Sequence, residues 1–266
     1  MNEALAVTTW GEGASTVVAL HSGGMSSRQW RSLARALGDR WRVIAPDLLG
    51  SGANPPWDDT VPFDLAMDVS AVRAVVAPLG PVHLVGHSYG ALIAMKLAAR
   101  EPQLARTLTL YEPPAFGLLR AGDDDDAAEQ LRALARDPVF IDETTGGGEA
   151  WLERFIDWWS GPGAWRSLPD EGRAAFAKVG RKVFREVQSL TGDRASAESY
   201  RGASAPALLL SGSRTPLAER RVMERLAEAL PHAERVVIEG AGHMGPITHA
   251  AEVNAAVRPW LERAER

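Results

Sequence analysis

The chain contains no cysteine, which excludes a disulfide framework, a thiol nucleophile and any metal site built on thiolates. It also lacks an excess of positive charge. With 29 Lys and Arg against 34 Asp and Glu the formal charge is −5, so there is no basic footprint of the kind a nucleic-acid partner requires. No apolar run approaches the ~20 residues of a membrane-spanning helix. The opening residues Met1-Asn2-Glu3-Ala4-Leu5-Ala6 show no basic segment leading into an apolar stretch, the mark of a secretory signal. These absences point to a soluble, cytoplasmic protein with neither nucleic acid nor membrane as a partner, and they specify no oligomeric state. What is present is length and apolar content. A chain of 266 residues that is 45% hydrophobic can bury a full core, and α/β folds of this size are often one domain.

Short runs rich in Val, Ile and Leu alternate with helical patterns, which predicts an α/β fold with a mostly parallel sheet and helices on both faces. Candidate strands are Thr16 to Leu20, Trp41 to Ala45, Val82 to Val85, Thr107 to Tyr111, Ala207 to Ser211 and Arg235 to Ile238. Ahead of them, Ala4 to Trp10 alternates loosely and meets Gly11-Glu12-Gly13, which reads as an antiparallel entry hairpin. Leu65, Val69, Val72, Val76 and Leu79 step by four, three, four and three after Asp64, one face of an α-helix. Arg220 to Leu230 and Glu252 to Leu261 repeat that pattern.

The alternation fails between about Pro113 and Ala205. This stretch has no convincing strand, carries the run Asp123-Asp124-Asp125-Asp126, and concentrates large aromatics. It reads as a helical insertion resting on the sheet, residues 115–202, within a core of residues 1–114 and 203–266. The aspartates read as a solvated link, with Asp126 and Glu129 marking a helix start. Trp151, Phe155, Trp158 and Trp159 fall on one helical stripe by their spacing. That stripe is either the insertion's own core or the roof of an apolar pocket, in which case Trp158 and Trp159 contact substrate.

Directly after the apolar run Val82-His83-Leu84-Val85 stands Gly86-His87-Ser88-Tyr89-Gly90, followed by the helix-like Ala91 to Leu97. Gly-x-Ser-x-Gly in that setting is a strand turning sharply into a helix with serine at the apex. The flanking glycines are explained if neither position has room for a β-carbon. A serine hydroxyl needs an adjacent base to act as a nucleophile at neutral pH. Of the six histidines, His83 lies within a strand, His87 points off the turn away from Ser88, His232 follows Leu230-Pro231 as a surface turn residue, and His21 braces the loop it begins. His249 stands at the start of the last helix, where capping suffices. His243, in the glycine-rich loop Glu239 to Gly245, is the base candidate, in agreement with the chain order of such triads. The Tyr89 amide opens the helix after Ser88 and can donate to a developing negative charge.

Four segments in order, His21-Ser22-Gly23-Gly24, Ala45-Pro46-Asp47-Leu48-Leu49-Gly50-Ser51-Gly52, Gly86-His87-Ser88-Tyr89-Gly90 and Gly240-Ala241-Gly242-His243, make the chain resemble an α/β-hydrolase. The resemblance covers everything except the insertion. It implies an eight-stranded, mostly parallel sheet with a helical cap after the sixth strand. It also implies a second oxyanion donor in the loop after the third strand, where Gly23 matches best and Gly24 next; Gly24 is also a candidate substrate contact. Asp47 resembles the structural aspartate that ties down its own loop.

One expected residue is missing. Most relatives place the acid that orients the histidine three residues after the glycine that follows the seventh strand; here that position holds Thr215, which cannot carry negative charge. Glu112, ending the strand before Pro113-Pro114, would emerge at the same sheet edge as Ser88 and His243, as in some members of the family. Pro113 biases Glu112 toward an extended backbone. Glu219 is the next candidate but lies deep in the following helix. The residues thus point to a serine hydrolase acting on a small-molecule ester with a small or medium apolar part, with Ser88, His243 and Glu112 as its triad. No metal or organic cofactor is implied. A carbon–carbon bond hydrolase or lactonase would use the same machinery, and the threonine at 215 leaves room for a non-hydrolytic receptor.

Overall fold

The computed structural model describes residues 4–120 and 125–266. Seven strands form one sheet: β1 (Val7–Trp10), β2 (Ser15–Leu20), β3 (Trp41–Pro46), β4 (Val82–His87), β5 (Ala105–Tyr111), β6 (Ala207–Gly212) and β7 (Ala233–Ile238), in the order β1-β3-β2-β4-β5-β6-β7. All neighbours run parallel except β1, which is antiparallel to β3. Among the described residues the sheet therefore has seven strands and not eight. The stretch ahead of Gly11, residues 4–10, has room for one strand of ordinary length and not two.

The expected entry hairpin is also corrected, because β1 pairs with β3 and not with β2. The chain between β1 and β2 crosses the start of β3 so closely that a Cβ on Gly11 would collide with the Trp41 carbonyl, and one on Gly13 with the Arg40 carbonyl. The two glycines serve a crossing, not a hairpin turn.

Central strands are apolar on both sides because both faces of the sheet are covered. Successive side chains of β2 go to opposite faces: Val18 and Leu20 join the core under helices α2 (Leu65–Val76) and α3 (Tyr89–Arg100), while Val17 and Ala19 join the one that includes α1 (Arg31–Leu37) and the helix Ala250–Ala264. The α2 helix begins where the Asp64 carboxylate accepts from the Ala66 amide at 2.7 Å, a cap that satisfies one orphan donor. Its apolar positions Leu65, Val69, Val72 and Val76 are buried as their spacing predicts.

Between β5 and β6 the described chain is helical, with α4 (Asp125–Arg136), α5 (Glu149–Ser160) and α6 (Asp170–Gly192) its main elements. One strand fewer at the amino-terminal end means this segment follows the fifth strand, although it starts at the expected Pro113. Asp123 and Asp124 lie outside the described residues; α4 begins at Asp125, one residue before the expected start. The aromatic stripe of α5 is divided between two tasks. Trp151 stacks between Phe140 and Phe155, at centroid distances of 5.3 and 5.0 Å, inside the segment's own apolar core. Trp158 and Trp159, about two turns further along, border a cavity over the sheet. Asp59 fastens α6 to the loop below by accepting from Arg185 and Arg181. The Arg185 bond is the main reason its carboxyl is pulled down to about 2. No helix among the described residues is long and apolar enough to cross a membrane.

Candidate active site

β4 turns into α3 through Ser88, whose backbone sits at φ 53°, ψ −123°. The turn can be this tight only without β-carbons beside it. A Cβ on Gly86 would lie 2.5 Å from the Ala91 Cα, and one on Gly90 would run into the carbonyls of Leu20 and His21. The Ser88 amide donates to the Tyr111 carbonyl at 2.8 Å, fastening the apex to β5.

Three side chains meet there in a line. The Ser88 hydroxyl lies 2.9 Å from His243 Nε2, and His243 Nδ1–H donates to Glu112 Oε2 at 2.7 Å. The carboxylate thereby fixes the tautomer that leaves Nε2 free to accept the serine proton. All three residues are buried, Glu112 completely. The other carboxylate oxygen, Oε1, accepts from the Gly212 amide at 2.7 Å and from the Thr215 hydroxyl. Position 215, where an acid was expected, thus holds a hydroxyl that donates to an acid reaching in from β5.

The backbone of Glu112 corrects one expectation. Its φ is 47°, not the extended value that a following proline favours. Of the non-glycine residues described, Ser88 and Glu112 are the two with positive φ. Such conformations cost about 1–3 kcal/mol each and persist where surrounding bonds over-determine them; here the three hydrogen bonds to the Glu112 carboxylate do so.

The His243 loop is braced from below. His87 Nε2–H donates to the His243 carbonyl at 2.8 Å, and the Tyr111 hydroxyl donates to the Gly242 carbonyl at 2.7 Å. Burial pushes the His87 imidazole well below its ordinary range, helped by neighbouring His243, so it braces as a neutral ring. His87 thus has a structural part that its sequence position did not suggest. His21 matches its predicted role: Nε2 accepts from the Leu48 amide at 2.9 Å. Asp47 does too, accepting from the Ser27 and Ala53 amides at 2.6 and 2.9 Å.

From above, the Trp159 indole stacks on the His243 ring at 3.7 Å between centroids and 17° between planes. Trp159→Ala should lower kcat/KM of a reaction carried by Ser88 and His243 by about tenfold, since the imidazole then loses its lateral support and a stacking contact. Unchanged steady-state kinetics in that variant would show that the stacking is incidental.

A cavity of about 440 Å³ opens beside Ser88, with Pro114, Leu119, Phe155, Trp158 and Leu190 among its apolar walls. Gly23 and Tyr89 border it next to each other, since a Cβ on Gly23 would lie 3.9 Å from that of Tyr89. Gly24, expected as a substrate contact, is turned elsewhere. At φ 75° it packs beneath Phe176 of α6, whose ring would stand 2.5 Å from a Cβ there. Among the described residues no three His, Asp or Glu side chains converge as ligands of a metal ion would.

Residues 17–256 match the model of the alpha/beta hydrolase family. The chain belongs to that family. It is similar to an (E)-2-((N-methylformamido)methylene)succinate hydrolase of Acinetobacter baylyi, 24% identical over 95% of this chain and 92% of the relative. It is also similar to a pimeloyl-[acyl-carrier protein] methyl ester esterase of Xanthomonas campestris, 26% identical over 92% of this chain and 94% of the relative. Among solved structures, an esterase from Thermogutta terrifontis superposes with a TM-score of 0.73 at 24% identity, covering 98% of this chain and 94% of the other.

Two features of this α/β-hydrolase escaped the sequence. The first is a buried polar cluster beside the cavity. Lys182 Nζ donates to Asp68 Oδ2 at 3.1 Å and to Glu186 Oε1 at 2.7 Å, and the Tyr89 hydroxyl donates to the same Asp68 oxygen at 2.9 Å. Burial alone would lower the Lys182 ammonium, but Glu186 and Asp68 hold it above its ordinary value. The available signal was Asp68, an acid interrupting the apolar face of α2, together with the i,i+4 pair Lys182 and Glu186.

The second is Glu219, the alternative acid. It is fully buried in the helix Leu217–Ala229, and neither carboxyl oxygen has a hydrogen-bond partner among the described residues. Burial, and secondarily the charge of Glu112, pushes it well above its ordinary pKa. A folded pKa above the unfolded one means the native state binds the extra proton, so stability falls as pH rises above about 4.5 until the folded pKa is passed. Glu219→Gln removes this slope. The variant should gain on the parent by up to about 1.4 kcal/mol per pH unit across that window, read from urea unfolding at pH 5 and pH 8. An equal difference at both pH values would contradict a neutral Glu219.

Proposed function

We propose that the protein hydrolyses a carboxylic ester with a small or medium apolar part, through an acyl-enzyme. The observation that carries this reading is the unbroken line Ser88–His243–Glu112, with contacts of 2.9 and 2.7 Å, beside an apolar cavity. As Ser88 Oγ bonds to the ester carbonyl carbon, its proton passes to His243 Nε2, and the Glu112 carboxylate stabilises the imidazolium. The amides of Gly23 and Tyr89 receive the negative charge on the carbonyl oxygen. The ester C–O bond then breaks and the departing alkoxide takes the proton from His243. Water repeats the sequence on the acyl-Ser88 ester, releasing the acid.

Apart from water, every group these steps use is a side chain or amide of the chain itself. In this reading the helical segment 115–202 is a cap on the core 1–114 and 203–266, and Trp158 and Trp159 contact the acyl group. A receptor is the weaker reading, since the threonine at 215 that suggested it donates to a carboxylate already bonded to His243. The test is turnover of p-nitrophenyl esters of graded chain length by the parent and by Ser88→Ala. Turnover by the parent, highest for short and medium chains and lost in the variant, supports the reading. Equal turnover by both refutes it.

A further inference from the structure

Glu186 reaches from α6 to the cavity and is used by no step above. Its Oε1 accepts from Lys182, while Oε2 accepts from no group among the described residues. The residue is 2% exposed, yet it borders the cavity. Oε2 stands against the backbone of Gly23, where a Cβ would lie 2.8 Å from it. That oxygen borders the cavity and is left to whatever the cavity holds, water or a bound molecule. The group that would satisfy it is a donor on the cavity's occupant.

We propose that Glu186 Oε2 accepts a hydrogen bond from the substrate, so that the preferred ester carries a hydroxyl on the first or second acyl carbon beyond the scissile carbonyl. This rests on the hydrolase reading, which puts the carbonyl oxygen at the Gly23 and Tyr89 amides. Oε2 lies beside that same Gly23, and a hydrogen bond spans about 2.7–3.2 Å. The donor therefore has to sit within a bond or two of the carbonyl. Lys182 does not compete for this role as a carboxylate binder. Its ammonium is engaged by Asp68 and Glu186 and lies 4.2 Å from the Phe63 ring centroid. A second carboxylate on the acyl chain would meet a negative group instead of a positive one. A site built around a buried acceptor rejects the analogue that lacks the donor, because the acceptor is then buried unpaired.

The experiment compares methyl 2-hydroxypropanoate with methyl propanoate and methyl 3-hydroxybutanoate with methyl butanoate, by pH-stat, in the parent, E186Q and E186L. The parent should favour a hydroxylated member by at least about tenfold in kcat/KM, as bonds to charged groups typically allow. That ratio should fall toward one in E186L and part of the way in E186Q, which keeps a neutral acceptor and serves alone if E186L fails to fold. A ratio near one in the parent, or one unmoved by both substitutions, overturns the proposal while leaving ester hydrolysis standing. If no ester is cleaved, the hydrolase reading fails, and binding decides the remaining point. Affinities of the same pairs for Ser88→Ala, followed by tryptophan fluorescence, support the acceptor role if the hydroxylated member binds at least about tenfold tighter and overturn it if the pairs bind alike.

Discussion

Ser88→Ala is expected to lower the turnover of a good p-nitrophenyl ester by at least about 10⁴-fold while the protein stays folded. The size follows from what is removed. Without Oγ no acyl-enzyme forms, and only binding and the oxyanion amides remain to assist attack by water. Folding is spared because alanine tolerates the positive φ of position 88 about as poorly as serine does, so little new strain is added. The amide that anchors the apex to Tyr111 is untouched. His243→Ala should cost a similar factor, and the double variant little more than either single one, because the two residues act as a unit. Additive losses would mean that they act separately.

Glu112→Gln should cost about 10³–10⁴-fold in kcat with the unfolding midpoint nearly unchanged. The amide oxygen of glutamine can still accept from Gly212 and Thr215 in place of Oε1. Its NH₂ then faces His243 Nδ1, which has to become an acceptor. The ring proton moves to Nε2, directed at Ser88, and the imidazole can no longer take the serine proton. A fully active Glu112→Gln enzyme would show that another group orients His243. Thr215→Asp is not an equivalent rearrangement of charge, since it would set a second carboxylate against Glu112, which has its Oε1 in hydrogen-bond contact with Thr215 in the parent.

The strands were legible because β2, β4, β5 and β6 are covered on both faces and so read as continuous apolar runs. The elbow was legible because its glycines answer to local geometry. The partner of β1 was not, since the alternation of Val7 to Trp10 says which residues face inward and nothing about which strand lies alongside. Glu112 could be placed at the correct sheet edge from chain order alone. Its left-handed backbone could not, being imposed by Gly212, Thr215 and His243, which are about a hundred or more positions away. The tryptophans of α5 show the limit of periodicity: one stripe supplies both the insertion's core, through Trp151, and the ring that covers His243, through Trp159. Lys182 and Glu186 are an i,i+4 pair on a long helix, and nothing local marks them as buried. Their burial depends on Asp68, 114 positions away.

Whether the Ser88 oxygen is a nucleophile activated by His243 can be read from reaction with a fluorophosphonate followed by peptide mass spectrometry. One phosphonyl adduct per chain is expected, on the peptide carrying Ser88. No adduct should form in Ser88→Ala, and labelling should slow by at least about 10³-fold in His243→Ala. An adduct on another residue, or labelling of His243→Ala at the parent rate, would contradict it.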